Sequence, residues 1–118
     1  MADRYLNKSV DFINTNETNI YTVPTSQLSN PPIPPTVTIV KSLLVCNDSG
    51  GSVNLDVKIA DQSLGPADIV MYKAKAVASN TTIELLTNPL VLEEGDVLKA
   101  TASGANALHV ICSLVEIT

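Results

Sequence analysis

Between Ile39 and Ile59 the chain reads IVKSLLVCN, then DSGG, then SVNLDVKI: an apolar run, a turn cluster and a second run. In the second run Val53, Leu55, Val57 and Ile59 alternate with Ser52, Asn54, Asp56 and Lys58. A period of two puts the first set on one face of a strand and the second on the other, so one face enters a core while the other meets water. The first run has only Lys41 to set its phase, which places Val40, Ser42, Leu44 and Cys46 inward and Ile39, Lys41, Leu43 and Val45 on the opposite face. Asn47 to Gly51 supplies Asx-turn formers and two glycines. Together the two runs predict a β-hairpin closed by a four- or five-residue loop.

Shorter extended stretches flank this pair. Ser9 to Ile13 predicts a short edge strand, and Asn19 to Val23 another that Pro24 stops. Asp68 to Ala76 lacks the caps and length of a helix and reads as a strand. Thr81 to Leu86 sets Ile83 and Leu85 opposite Glu84, Leu90 to Leu92 is brief, and Val97 to Ala102 turns Leu98 and Ala100 inward. In the last run, Ala107 to Ile117, one face carries Leu108, Val110, Cys112 and Leu114, and the other His109, Ile111, Ser113, Val115 and Ile117. Seven or eight short strands separated by Gly, Asn, Ser and Pro turns predict an all-β antiparallel β-sandwich, with jelly-roll connections favoured over immunoglobulin-like ones. Residues 1–18 read as an N-terminal arm or edge strand and 19–118 as a single sandwich domain.

A Pro-rich loop, residues 25–35, interrupts this domain. Its Pro31, Pro32, Ile33, Pro34 and Pro35 exclude a helix or a central strand, because proline fixes φ and donates no hydrogen bond. Such stiff chain loses little entropy on docking, which makes these five residues a candidate partner-docking loop beside the plainer reading of a solvated loop.

Composition narrows the core and the partners. The chain has 118 residues, 45% of them apolar but only 3% aromatic, so Val, Ile, Leu and Ala must build a single core. A chain of this size buries roughly 65% of its unfolded surface. Twelve acidic against seven basic residues give a formal charge of -5, which opposes phosphate contacts, and the scattered basic residues make no nucleic-acid footprint. No apolar run approaches the ~20 residues of a spanning helix, so no membrane partner is expected.

The chemistry-bearing residues form no recognisable catalytic set. His109 and Ser113 share a strand face about 13 Å apart, beyond general-base reach, so His109 reads as a surface or interface residue. Glu93, Glu94 and Asp96 surround Gly95 without the twelve-residue pattern of a calcium loop, and a charged turn is the expectation. Cys46 and Cys112 read as buried thiols, with a disulfide between strands as the alternative. The five glycines open no phosphate cradle. Neither an enzyme nor a metal or cofactor site is therefore expected. What does stand out is a second apolar face: Ile39, Leu43 and Val45 with Ile111, Val115 and Ile117 exceed what a lone domain hides, and predict a homo-oligomer interface.

Four phrases, NIYTVP at Asn19 to Pro24, VKSLLVCNDSG at Val40 to Gly50, LVLEEGDVLKATAS at Leu90 to Ser103 and HVICSLVEI at His109 to Ile117, are ordered as in a known group. The chain resembles small β-sandwich virion proteins of tailed bacteriophages over Asn19 to Ile117, departing from them by the insertion Ser26 to Pro35. The resemblance implies a non-enzymatic structural protein of the phage virion, decorating or reinforcing the capsid, or placed as an accessory at the neck or tail. It also implies a homo-oligomer, a trimer, that contacts major capsid or neck and tail proteins after assembly in the host cytoplasm. It carries no catalytic residues over. A receptor- or glycan-binding tip domain, using the Asn/Ser/Thr-rich turns, is the alternative.

Overall fold

The computed structural model describes residues 3–25, 36–62, 65 and 67–117. Among these residues there are nine strands and no α-helix: β1 (Asp3–Asp11), β2 (Thr18–Thr22), β3 (Val37–Asn47), β4 (Val53–Asp61), β5 (Ala67–Val77), β6 (Thr81–Glu84), β7 (Leu90–Leu92), β8 (Val97–Ala102) and β9 (Leu108–Ile117). One sheet runs β1-β9-β3-β6, with β7 also on β3, and the other runs β2-β8-β4-β5. Every pairing is antiparallel.

The connectivity is that of one long hairpin rolled up. Its tip is β4 with β5; behind it β3 pairs with β6 and β7, β2 with β8, and β1 with β9. Successive pairs go to alternate sheets, and the roll is closed by β9 on β3 and β8 on β4. This is the jelly roll, in which a sheet's neighbours lie far apart in sequence.

Two expectations about the Ile39–Ile59 stretch are corrected by this topology. First, β3 and β4 are not a hairpin: they belong to different sheets, and their connection arches across the core. The reason lies in Asn47, whose buried side chain ties the arch internally and to the opposite sheet. Its Nδ2 donates to Gly51 O and Val77 O, both at 2.9 Å, while its Oδ1 accepts from the Ser49 amide at 2.9 Å. Two one-sided apolar strands joined this way bury their faces against each other rather than side by side.

Second, the phase of β3 reverses part-way. Val40 stands opposite Leu114 and Ser42 opposite Ser113, so Lys41 is an extra residue, a β-bulge. Before it Thr38 and Val40 point inward; after it Leu43, Val45 and Asn47 do, all fully buried. Ser42, Leu44 and Cys46, expected inward, therefore lie on the outer face.

The core between the sheets is aliphatic, with Phe12, Val40, Leu43, Val45, Leu55, Val57, Leu92, Leu98, Leu108 and Val110 among its fully enclosed members. The alternations of β4, β8 and β9 hold as read: Leu55, Val57, Leu98, Ala100, Leu108, Val110, Cys112 and Leu114 are all inside. Phe12 lies just after β1, its amide donating to Leu108 O at 3.0 Å, and anchors the first strand to this core. On the far edge, β5 carries a bulge opposite β4, where Ala74 takes a left-handed φ of 51°. Asp56 Oδ1 accepts the Ala74 amide at 2.6 Å and holds that conformation, and an edge bent in this way is a poor template for a further strand.

Candidate interaction surface

Among the described residues, most of the exposed large apolar side chains of the strands lie on the outer face of the β1-β9-β3-β6 sheet. Cross-strand register lines up Tyr5, Val115, Ile39 and Val91 in one row across β1, β9, β3 and β7. The next row outward holds Asp3, Ile117 and Val37. Tyr5 is 77% exposed and Val91 58%, whereas Val115, between Tyr5 and Ile39, is only 5% exposed. Going along the strands, a polar row of Asn7, Ser113 and Ser42 follows, then Ser9, Ile111, Leu44 and Glu84, then Asp11, His109, Cys46 and Thr82. Ile111 and Leu44 are again exposed.

Four of the six residues expected at an oligomer interface sit on this face: Ile39, Ile111, Val115 and Ile117. Leu43 and Val45 do not, because the bulge at Lys41 turns them into the core of their own chain. Their places are taken by Leu44 after the bulge and by Tyr5, Val37 and Val91 from neighbouring strands. Tyr5 alternates with Asn7 and Ser9 in the sequence, a weak signal of a half-apolar strand face; Val91, in a three-residue strand, had no readable period. The candidate docking residues Pro31, Pro32, Ile33, Pro34 and Pro35 lie outside the described residues.

Polar groups pin both borders of the face. Glu84 accepts from the Ser42 hydroxyl and from the Leu43 amide at 2.7 Å and the Leu86 amide at 3.2 Å. Desolvation pushes its carboxyl up, but these hydrogen bonds outweigh it and leave the group below the usual carboxylate range. Beneath the apolar row, Glu116 points into the core, where Tyr21 donates its hydroxyl to Oε2 at 2.5 Å and meets Thr38 Oγ1 at 2.8 Å. Arg4 reaches the other carboxylate oxygen from solvent at 3.7 Å. Burial first, then the Glu116 acceptor, holds the Tyr21 phenol well above its ordinary value, so it stays protonated and able to donate.

The remaining candidate chemistry resolves into structure. Asp96 accepts from the Gln62 and Glu93 amides, both at 3.0 Å, so its carboxylate closes the acidic turn at Gly95. Cys46 and Cys112 are both free thiols, on opposite faces of the sheet. Burial pushes the Cys112 thiol up to about 11. Among the described residues no group of three or more His, Cys, Asp or Glu side chains could hold a metal ion, and no helix is long and apolar enough to cross a membrane.

No family model matches the sequence, and no curated protein is similar to it in sequence. Solved structures are similar in fold. A chain of the acid-stable capsid of the Helicobacter pylori bacteriophage KHP30 superposes with a TM-score of 0.57 over 100% of this chain and 94% of its own, at 9% identity. The fold is shared with capsid and pilus subunits. A subunit of the disulfide-linked pili called Bacillus endospore appendages gives a TM-score of 0.56 over 99% of this chain and 87% of its own, at 10% identity. A chain of infectious bursal disease virus gives 0.55 over 97% of this chain but only 32% of its own, at 7% identity. The jelly roll here is thus an architecture found in bacteriophage and virus particles.

Proposed function

We propose that this protein is a non-enzymatic structural subunit of a bacteriophage virion, which associates with copies of itself and with other virion proteins through the outer face of the β1-β9-β3-β6 sheet. The observation that carries this reading is the row Tyr5, Val115, Ile39 and Val91, exposed at both ends. Exposed apolar side chains grouped on one sheet face mark an interaction site on a folded domain. The fold likeness to chains of a phage capsid and a bursal disease virus supports the virion setting, and the trimer is the oligomer the phage resemblance implies.

Capsid decoration or reinforcement is the specific role put forward, ahead of a neck or tail position, with assembly in the host cytoplasm. Purified protein mixed with particles that lack it, followed by electron microscopy, tests this. Regular occupancy of the capsid lattice is the expected result. A ring at a single vertex moves the protein to the neck or tail, and absence from purified virions overturns the reading. Light scattering across a concentration series tests self-association separately, and a monomer throughout removes the interface.

A further inference from the structure

The far end of the same outer face holds a polar cluster set apart from the apolar row of Tyr5, Val115, Ile39 and Val91. His109 on β9 stands between two carboxylates from different segments: Asp11 Oδ1, at the end of β1, lies 2.6 Å from Nδ1, and Asp48 Oδ2, in the β3–β4 connection, lies 2.9 Å from Nε2. A neutral imidazole has one N–H and one lone pair, so it can donate to only one of two carboxylate acceptors, whereas the imidazolium donates to both. With both carboxylates ionised, only the charged ring satisfies both contacts. We propose that His109 is a proton-operated clamp: protonated, it fastens the end of β1 and the β3–β4 connection to the last strand, and on losing its proton it releases one of them.

The surroundings leave the ring little other company. From β1 the facing group is Asp11, from the β3–β4 connection Asp48, and from β3 the thiol of Cys46, the direct cross-strand neighbour of His109. Beyond Cys46, β6 presents Thr82, which carries no charge. No cation among these groups competes for either carboxylate. The three segments also meet through backbone: the Asp48 amide donates to Ala107 O at 3.1 Å, and the Phe12 amide to Leu108 O. These two amides sit beside the clamp and report on it.

The direction with pH follows from the same contacts. The Asp11 bond first, and the Asp48 bond next, raise the His109 pKa above its ordinary 6.5. A group whose pKa is higher in the folded than in the unfolded chain stabilises the fold fully below the unfolded value and loses that contribution as the pH climbs through the folded one. Acidification from neutral pH toward 6.5 thus tightens this end of the sandwich, and alkalinity loosens it. The clamp does not depend on what the protein assembles with.

The test is a pH titration of the intact protein by nuclear magnetic resonance, following the His109 ring nitrogens and the exchange of the Asp48 and Phe12 amides after correction for intrinsic rates. The expected midpoint lies above 6.5, with both ring nitrogens protonated below it. Across the midpoint, exchange at the two reporter amides rises several-fold while Val57 in β4 stays protected. Asp48→Asn, on an exposed loop where folding is not at risk, moves the midpoint down, and Asp11→Asn does so by a larger step. In His109→Gln the reporter amides lose their pH response. A midpoint at or below 6.5, a midpoint unmoved by Asp48→Asn, or exchange that does not change across it overturns the clamp.

Discussion

The two sheets share one core but present opposite outer faces. On β2-β8-β4-β5 the outward side is charged: Lys99 Nζ lies 3.3 Å from both Glu17 and Asp68, Lys58 Nζ 3.3 Å from Glu17, and Lys73 Nζ 3.8 Å from Asp56. On β1-β9-β3-β6 it is the apolar row of Tyr5, Val115, Ile39 and Val91. Alternating strands ordinarily put polar groups on the face that meets water. The charged sheet follows that rule, with exposed Ile69 and Val70 only on its edge strand. The apolar sheet departs from it in two places, at Tyr5, Val37 and Val91 toward one end and at Leu44 and Ile111 further along the strands, and it is on this face that association is proposed.

Five substitutions sharpen or break this contrast. The largest effect tests where the apolar sheet's core ends and its outer face begins. Leu43→Ala, fully inside, should cost ~2–4 kcal/mol through lost transfer energy and a cavity, whereas Leu44→Ala one residue later should cost under ~1 kcal/mol. Equal shifts in denaturation midpoint would mean that the bulge at Lys41 does not set the two faces.

Next is the polar seam between the sheets. Tyr21→Phe removes the donor that Glu116 Oε2 accepts from inside the core, leaving a buried carboxylate with the Arg4 contact on its other oxygen. The expected loss is about 1–3 kcal/mol in urea denaturation. The wild-type phenol, held protonated in the native state, should also make stability fall as the pH rises past 10.0, because the unfolded chain releases that proton and the native one does not. A Tyr21→Phe variant as stable as the parent would place little energy in the seam.

A smaller effect is expected on association. Val91→Asp introduces a charge at an exposed position of the apolar row and should weaken self-association at least tenfold, about 1.4 kcal/mol, with an unchanged β-sheet circular dichroism spectrum. Unaltered scattering would move the interface elsewhere. The smallest effect belongs to the charged sheet. Lys99→Met breaks a solvent-facing network and should change stability by less than ~1 kcal/mol at low salt, and by less still in 1 M salt. A larger, salt-insensitive loss would show that this network holds the fold together rather than merely covering its surface.

Much of the fold was legible residue by residue. Strands β4, β8 and β9 alternate cleanly, so the side of each that enters the core could be named from Leu55, Val57, Leu98, Ala100, Val110 and Cys112. Half-legible was the outer face of the β1-β9-β3-β6 sheet: Ile39, Ile111, Val115 and Ile117 were placed on it, as the structure has them, but Leu43 and Val45 were placed on it by extending one period through Lys41. A bulge adds a residue without any required composition, and lysine in an apolar run looks like an outward residue of a regular strand.

What the sequence alone determined is what consecutive residues decide: the existence of strands, the places where turns break them, and the inward set wherever the period is unbroken. Only the tertiary structure decided which strands are neighbours. The Asn47–Ser52 turn serves a hairpin or an arch equally well by its local chemistry, and the choice is made by Asn47 reaching Val77 O on the opposite sheet. The clusters were invisible for the same reason. Tyr21 meets Glu116 across 95 positions and His109 meets Asp11 across 98, because the rolled hairpin brings the first strands beside the last, and no local pattern encodes a contact between residues so far apart.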